Sequence, residues 1–184
     1  MDNGSSSYSR FLSGEKDAID EIIKEYKDGL VYYLYSITRD MQLAEESAID
    51  TFVKLYVDKP RFKGSGAFKT WLYTIGRNKA YDAVRKLPKI SCTPLEEAYY
   101  VSDGNDIEKK VDRDEMRDDL HKIVSKLKPE YSQAICLVFF ENFSNDEAAK
   151  IMNKSNKQVR DLLYRAKQIL KKELTKEGAV YYGL

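Results

Sequence analysis

The chain has 184 residues, enough for one medium domain or two small ones, and its 42% hydrophobic and 33% charged residues describe a globular protein. Its 31 basic and 30 acidic side chains nearly cancel, which excludes a uniformly basic or acidic protein. No apolar run approaches the roughly 18 residues that span a bilayer, and Cys92, Cys136 and His121 lack the spacing of a zinc site or a disulfide framework. The opening stretch "MDNGSSSYSRFLSG" has no basic segment followed by an apolar core, so no secretory signal or membrane insertion is expected. The expected setting is a reducing cytoplasm, with Cys136 a core residue in "AICLVFF".

The elements that follow are helical. Ile19, Ile22, Ile23, Tyr26, Leu30, Tyr33, Leu34 and Ile37 recur at three- and four-residue steps and predict one long amphipathic helix. A second is capped by Asp40 and stopped at Pro60. Its expected buried face is Ala44, Ala48, Ile49, Phe52, Val53 and Tyr56, with Glu45, Glu46 and Asp50 outward. Next comes "FKGSGAFKTW", residues 62–71. Its Lys69-Thr70 end hints at a phosphate loop, but that signature needs Gly directly before its Lys, where Phe68 stands, and a preceding strand. Trp71, Leu72, Ile75, Tyr81 and Val84 predict a third helix to about Lys86, ahead of Pro88, with Trp71 packing under the loop.

Residues 88–111 carry two prolines, Gly104 among polar neighbours and no sustained period, which reads as a linker. Beyond it, Leu120, Ile123, Val124 and Leu127 form a stripe that ends at Pro129, well placed to open the next helix. "YSQAICLVFFENF" reads as that helix, apolar almost all round. Then Ser144 with Glu147, and Ser155 with Gln158, form two capping boxes eleven residues apart. A short helix, a tight turn at Asn153 and Lys154, and a long basic helix are the helix-turn-helix arrangement that seats its second helix in a DNA major groove; an ordinary helical hairpin with a basic face is the plain alternative.

Charge is segregated in the same order. Residues 15–58 hold 5 basic and 11 acidic side chains, and 61–89 hold 8 basic and one acidic. Residues 90–120 return to 4 basic and 10 acidic, and 150–176 to 9 basic and 2 acidic. Two basic blocks separated by acidic ones are the footprint of a polyanion partner; solvated helix faces are the plain alternative.

The run "FKGSGAFKTWLYTIGRNKAYDAVRK", with "AEESAIDTF" before it and "VRDLLYRAKQIL" near the end, resembles the extracytoplasmic-function (ECF) sigma factors of the bacterial sigma-70 family, over roughly residues 10–174. The matching positions are Phe62 and Gly64, Phe68 to Leu72, Ile75, Asn78, Asp82, Arg85 and the pair Arg165-Ala166. The resemblance implies an all-α protein of two small helical domains, a sigma2-like bundle at 10–87 and a sigma4-like helix-turn-helix at 112–175. An acidic linker at 88–111 and a tail at 176–184 complete it. It implies RNA polymerase core and promoter DNA as partners, commonly an anti-sigma factor, and no cofactor, metal, catalytic residue or small-molecule substrate.

In such a protein the 62–71 loop captures a base flipped from the melted minus-ten strand. Phe62, Lys63, Gly64, Ser65, Phe68, Arg77, Asn78 and Lys79 are the implied single-strand contacts, since glycines let backbone donors approach a base edge and aromatics stack on unpaired bases. Ser155, Lys157, Arg160, Asp161, Tyr164 and Arg165 are the implied readers of the upstream minus-thirty-five duplex. Glu45, Glu46, Ile49 and Asp50 are the implied polymerase contacts. Ile49 departs from the family's usual Gln, Lys157-Gln158 from Gly-Thr, and Asp161-Leu162 from Ser-Arg. Asp161 either accepts a bond from a cytosine amino group or orients Arg165 or Lys157 through a salt bridge. Two other classes remain: a helix-turn-helix regulator acting without polymerase, and a metal-dependent nuclease using Asp103, Asp106 and Glu108, which lie in a polar linker with no scaffold to fix them.

Overall fold

The computed structural model describes residues 3–63, 66–87, 124 and 126–176; among them are seven α-helices and no strand. Helix α1 spans Asn3–Leu12, α2 Ala18–Thr38, α3 Met41–Asp58 and α4 Phe68–Lys86. Helix α5 is Pro129–Ile135, continued by a π-helical turn at Cys136–Phe140; α6 is Asn145–Met152 and α7 Asn156–Lys176. The expected linker at 88–111 and the tail beyond Lys176 lie outside the described residues, as do Leu120 and Ile123.

Helix α2 is central to the molecule, packed against α1, α3, α4 and α5. Ile19, Ile22, Tyr26, Leu30, Tyr33, Leu34 and Ile37 are buried, as the three- and four-residue steps predict, whereas Ile23 of the same stripe is only partly buried. Arg39 ends the helix with φ 57°, its N–H bonded to the Tyr35 carbonyl at 2.9 Å. Asp40 then caps α3 by accepting from the Leu43 N–H at 2.9 Å.

The inner face of α3 differs from the expected one. It consists of Ala44, Ser47, Ala48, Thr51, Phe52 and Leu55, whereas Ile49, Val53 and Tyr56 are exposed. Hydroxyls occupy inner positions here because they donate within their own helix, Ser47 to the Leu43 carbonyl at 2.7 Å and Thr51 to the Ser47 carbonyl at 2.8 Å. A buried hydroxyl so satisfied carries little penalty. That rotates the apolar trio toward solvent.

Helix α4 starts at Phe68, one turn before the expected stripe. It buries Phe68, Leu72, Tyr73 and Ala80, with Thr70 and Gly76 between them. At Gly76 the helices cross closely, since a Cβ would stand 2.9 Å from Leu30 Cδ1. Trp71 is half-buried, against Tyr8, Phe62 and Phe68, in line with its expected place beneath the loop.

In the second half Pro129 stands at the start of α5, where its missing N–H costs nothing. The apolar stretch after it is shorter as an α-helix than its composition implies. The chain widens into a π turn, with Glu141 N–H bonded five residues back to Cys136, and then leaves the helix. Both capping boxes form: Ser144 and Glu147 exchange bonds at the start of α6, and Ser155 and Gln158 at the start of α7. Asn153, at φ 53°, makes the turn between them. Helices α5 and α6 lie against α2 and α4, so one continuous apolar core runs through both halves.

Candidate nucleic-acid and polymerase interface

The loop ahead of α4 is anchored from below. Tyr8 of α1, a helix that the sequence analysis did not assign, donates its hydroxyl to the Pro60 carbonyl at 2.8 Å. Burial pushes the Tyr8 phenol up to about 12, so it remains a donor throughout the physiological range. Phe62 meets Phe68 edge-on, with centroids 5.6 Å apart, and lies 5.3 Å from Trp71. Phe68 itself is fully buried. It is therefore the floor of the loop and no platform for a base, which corrects its expected contact role. Phe62 is half-buried and Lys63 exposed, while Gly64 and Ser65 lie outside the described residues.

Further along α4 the expected contacts divide. Asn78 is exposed. Arg77 is half-buried with its guanidinium 4.6 Å above the Tyr81 ring, and its Nε is buried with no hydrogen-bond partner. Lys79 sits 4.0 Å from Asp50 of α3. Asp82 and Arg85 pair at 3.2 Å on the same outer face as Asn78.

Helix α7 presents a different picture. Val159, Leu163, Ala166 and Leu170 are buried, and this places Lys157, Arg160, Asp161, Tyr164 and Arg165 together on the open side. Tyr164 is 67% exposed, a large ring with nothing packed over it. Ser155 is committed to the cap, accepting from the Gln158 N–H at 3.2 Å. Asp161 forms no ion pair with Arg165 or Lys157 among the described residues, so the orienting salt bridge considered above is not formed. Asn156 bonds Asp146 at 2.7 Å and Lys154 pairs with Glu130 at 2.8 Å, fixing α7 against α6 and α5.

The third candidate surface is on α3. Glu45, Glu46, Ile49 and Asp50 are all exposed. Glu45 and Ile49 line an apolar groove between α2 and α3, with Ile19, Ile23 and Val31 on one side and Ile49, Phe52, Val53, Tyr56 and Val57 on the other, while Glu46 and Asp50 lie outside its lining. Ile49 is 58% and Val57 67% exposed. The groove is rimmed by Asp20, Lys27 and Glu45. Of the four expected polymerase contacts, Glu45 and Ile49 line the groove; the sequence had put Val53 and Tyr56 on the buried face, because a period of 3.6 cannot say which of two apolar strips is covered.

Two family patterns match the two halves: Sigma-70 region 2 over residues 22–89 and Sigma-70 region 4 over 117–170. The ECF RNA polymerase sigma factor SigM of Bacillus subtilis is 31% identical over 153 residues, which are 83% of this chain and 93% of that protein. This chain belongs to the ECF sigma factors. The RNA polymerase sigma factor YlaC of the same organism is 29% identical over 163 residues, covering 88% of this chain and 94% of its own. Among solved structures, CnrH in complex with the cytosolic domain of CnrY aligns with TM-score 0.66 at 20% identity, over 95% of this chain and 99% of that one. The sigma factor RpoE of Bartonella quintana, solved with the anti-sigma factor NepR, aligns with TM-score 0.63 at 21% identity, over 86% and 98%. The fold of this ECF sigma factor is thus that of its family, and its work is promoter-directed initiation of transcription. No described helix is long and apolar enough to cross a membrane.

Proposed function

We propose that this sigma factor divides promoter recognition among the three surfaces. Helix α7 reads the upstream duplex through Lys157, Arg160, Asp161, Tyr164 and Arg165. The loop before α4, with Phe62, Lys63 and the exposed Asn78, takes the melted minus-ten strand. The α2–α3 groove, with Glu45 and Ile49 in its lining, docks on polymerase core together with the neighbouring exposed Glu46 and Asp50 of α3. The corresponding domains are 10–87, extended to Asn3 by α1 whose Tyr8 anchors the loop, and 112–175. The observation that carries the reading is the doubly capped helix-turn-helix, whose long helix keeps Lys157, Arg160 and Arg165 exposed while its apolar face is spent on the core.

No bond is made or broken by the chain in this scheme. An extruded base costs a few kcal/mol of stacking. The loop offsets that cost by stacking on Phe62, worth about 1–3 kcal/mol per base, and by charge attraction from Lys63. Binding melted strand better than duplex moves the equilibrium toward the open promoter. The docking groove suits a partner helix with an apolar ridge and basic flanks, because an apolar floor supplies burial and the surrounding carboxylates supply orientation. The protein acts where core polymerase is, in the cytoplasm, and an anti-sigma factor that covers these surfaces would silence it.

Run-off transcription with purified core polymerase tests the reading. Specific transcripts are expected only when the chain is added. Stable, specific duplex binding by the chain alone with no effect on core would instead identify a regulator that works without polymerase.

A further inference from the structure

The segment that leads into the strand-binding loop, residues 59–63, lies between α3 and α4 and belongs to neither. Lys59 closes α3 at φ 45°, and Pro60 follows with a ring that fixes its own φ and a nitrogen that carries no hydrogen. Burial then alternates. Lys59, Arg61 and Lys63 are exposed, while Pro60 and Phe62 are half-buried, the two-residue period of a chain laid flat on a core. Lys59 is used by the protein itself, its ammonium 5.2 Å above the Phe11 ring. Arg61 and Lys63 have no carboxylate partner among the described residues. Two such side chains are at most about 7 Å apart along the backbone, a spacing that successive nucleotides of an extended strand can match. Arg61 is not among the contacts that the family resemblance implies.

What holds this segment is α1, which lies ahead of the residues matched by Sigma-70 region 2. Tyr8 donates its hydroxyl to the Pro60 carbonyl at 2.8 Å, the only hydrogen-bonding group of that residue's backbone. The Tyr8 ring packs 5.5 Å from Trp71 and 5.4 Å from Phe68, and Phe11 packs 5.6 Å from Tyr56 at the end of α3. At Gly4 the helix comes so near α4 that a Cβ would stand 2.5 Å from Phe68 Cδ1. Helix α1 is fastened in turn to α2, through Ser7 on Glu21 at 2.6 Å and the Arg10–Glu21 pair. A phenylalanine at position 8 would bury the same ring without the cost of desolvating a hydroxyl. The hydroxyl therefore has work beyond core filling, and its partner is the backbone that carries Arg61.

We propose that Tyr8 is a positioning residue for the melted strand: it pins Pro60, and the pinned segment presents Arg61 beside Lys63 as a pair of phosphate contacts next to the base-capturing loop. The inference rests on the strand-binding role proposed above for that loop. Pinning matters because a cation on a free segment loses conformational freedom when it binds, whereas one already held in place loses less.

Tyr8→Phe tests this in the full chain, since it keeps the ring and removes only the bond to Pro60. Helicity should be unchanged. Trp71 is the only tryptophan of the chain and is covered by Phe62, so its emission should become more accessible to acrylamide in the variant. With core polymerase bound, the probe is an upstream duplex joined to a single strand of about a dozen nucleotides of random sequence. Affinity for it should fall about 3- to 10-fold, and the salt slope should fall by about 0.7 or more. Arg61→Ala alone should lower the slope by about 0.7. In a chain already carrying Arg61→Ala and Lys63→Ala, Tyr8→Phe should cost nothing further. Affinity for the upstream duplex alone should be unchanged throughout. An equal loss in the doubly substituted chain, or a loss with the slope intact, makes Tyr8 a structural residue and overturns its positioning role. An unchanged slope in Arg61→Ala overturns the phosphate contact. A wild-type chain that adds no affinity for the single strand to that of core overturns the strand-binding reading itself, and Trp71 accessibility then decides by itself whether Tyr8 pins the segment.

Discussion

The two basic stretches of this chain carry the same net charge and use it in opposite ways. Residues 61–89 and 150–176 each hold a surplus of seven positive charges. On α7 Lys157, Arg160 and Arg165 stand in solvent on one face, while Lys167 lies 4.6 Å over the Phe139 ring. On α4 three have partners within the protein, Lys69 the Glu141 carboxylate and Arg77 the Tyr81 ring, while Lys79 stands 4.0 Å from Asp50 at the surface. Charge in the sequence measures what a segment contains. Its availability to DNA depends on which carboxylates and rings the fold brings to it.

The strongest way to break the contrast is at α7. Arg160→Ala and Arg165→Ala should each weaken upstream duplex binding by about 1–3 kcal/mol, roughly 5- to 150-fold, measured by anisotropy titration at fixed salt. Losses this large from Arg77→Ala on the same probe would erase the distinction between the two helices. Asp161→Ala sharpens it further. With no salt bridge to Arg165 or Lys157, direct readout predicts a loss confined to one cytosine position in a selection over randomised upstream elements. An even loss across all sequences would make Asp161 a positioning residue.

The α3 groove provides a comparison outside the basic blocks. Ile49→Lys with Val53→Lys should reduce capture of polymerase core by more than about 1 kcal/mol while helicity is unchanged, because both side chains are already exposed. Glu46→Lys with Asp50→Lys should cost less, because these exposed charges lie outside the groove lining and act mainly on encounter rate. Equal losses from the two pairs would return the docking role to the acidic residues.

Smaller effects test the scaffold under α7. Ser144→Ala removes one half of the capping box and should lower stability by about 1 kcal/mol, a fall of about 2–4 °C in Tm. Glu147 adds a pH dependence. Burial raises its pKa, but bonds with Ser144 and Thr70 outweigh this and hold it below the ordinary carboxylate value. A depressed pKa gives stability that is complete above the unfolded value and lost as pH falls through the folded one. The cap and the α4 contact should therefore weaken together on acidification below about pH 4, read as loss of thermal stability that Glu147→Gln no longer shows. Least of all, Lys63→Ala should lower single-strand affinity evenly across sequences and reduce the salt slope by about 0.7.

Local chemistry was enough to read the helices, because their signals lie within a few residues of one another. Asp40, Pro129, Ser144 with Glu147, and Ser155 with Gln158 mark starts that the structure reproduces, and the stripe of α2 marks its own buried face. The open face of α7 followed from the same periodicity, since an amphipathic helix on a core leaves only one side free. The partition of α3 was not legible, because intrahelical bonds make Ser47 and Thr51 acceptable inside and leave Ile49 and Val53 outside. Neither was the burial of Phe68 under Tyr8, from a segment far away in sequence and without an apolar repeat to announce it. Least legible was Glu141. By composition it is one acid at the end of an apolar run, and only the packing of α2, α4 and the π turn gives it Gly29 as a seat and Lys69 and Tyr73 as partners. Helix ends and faces are decided over one or two turns of chain; ownership of a charge is decided where distant segments meet.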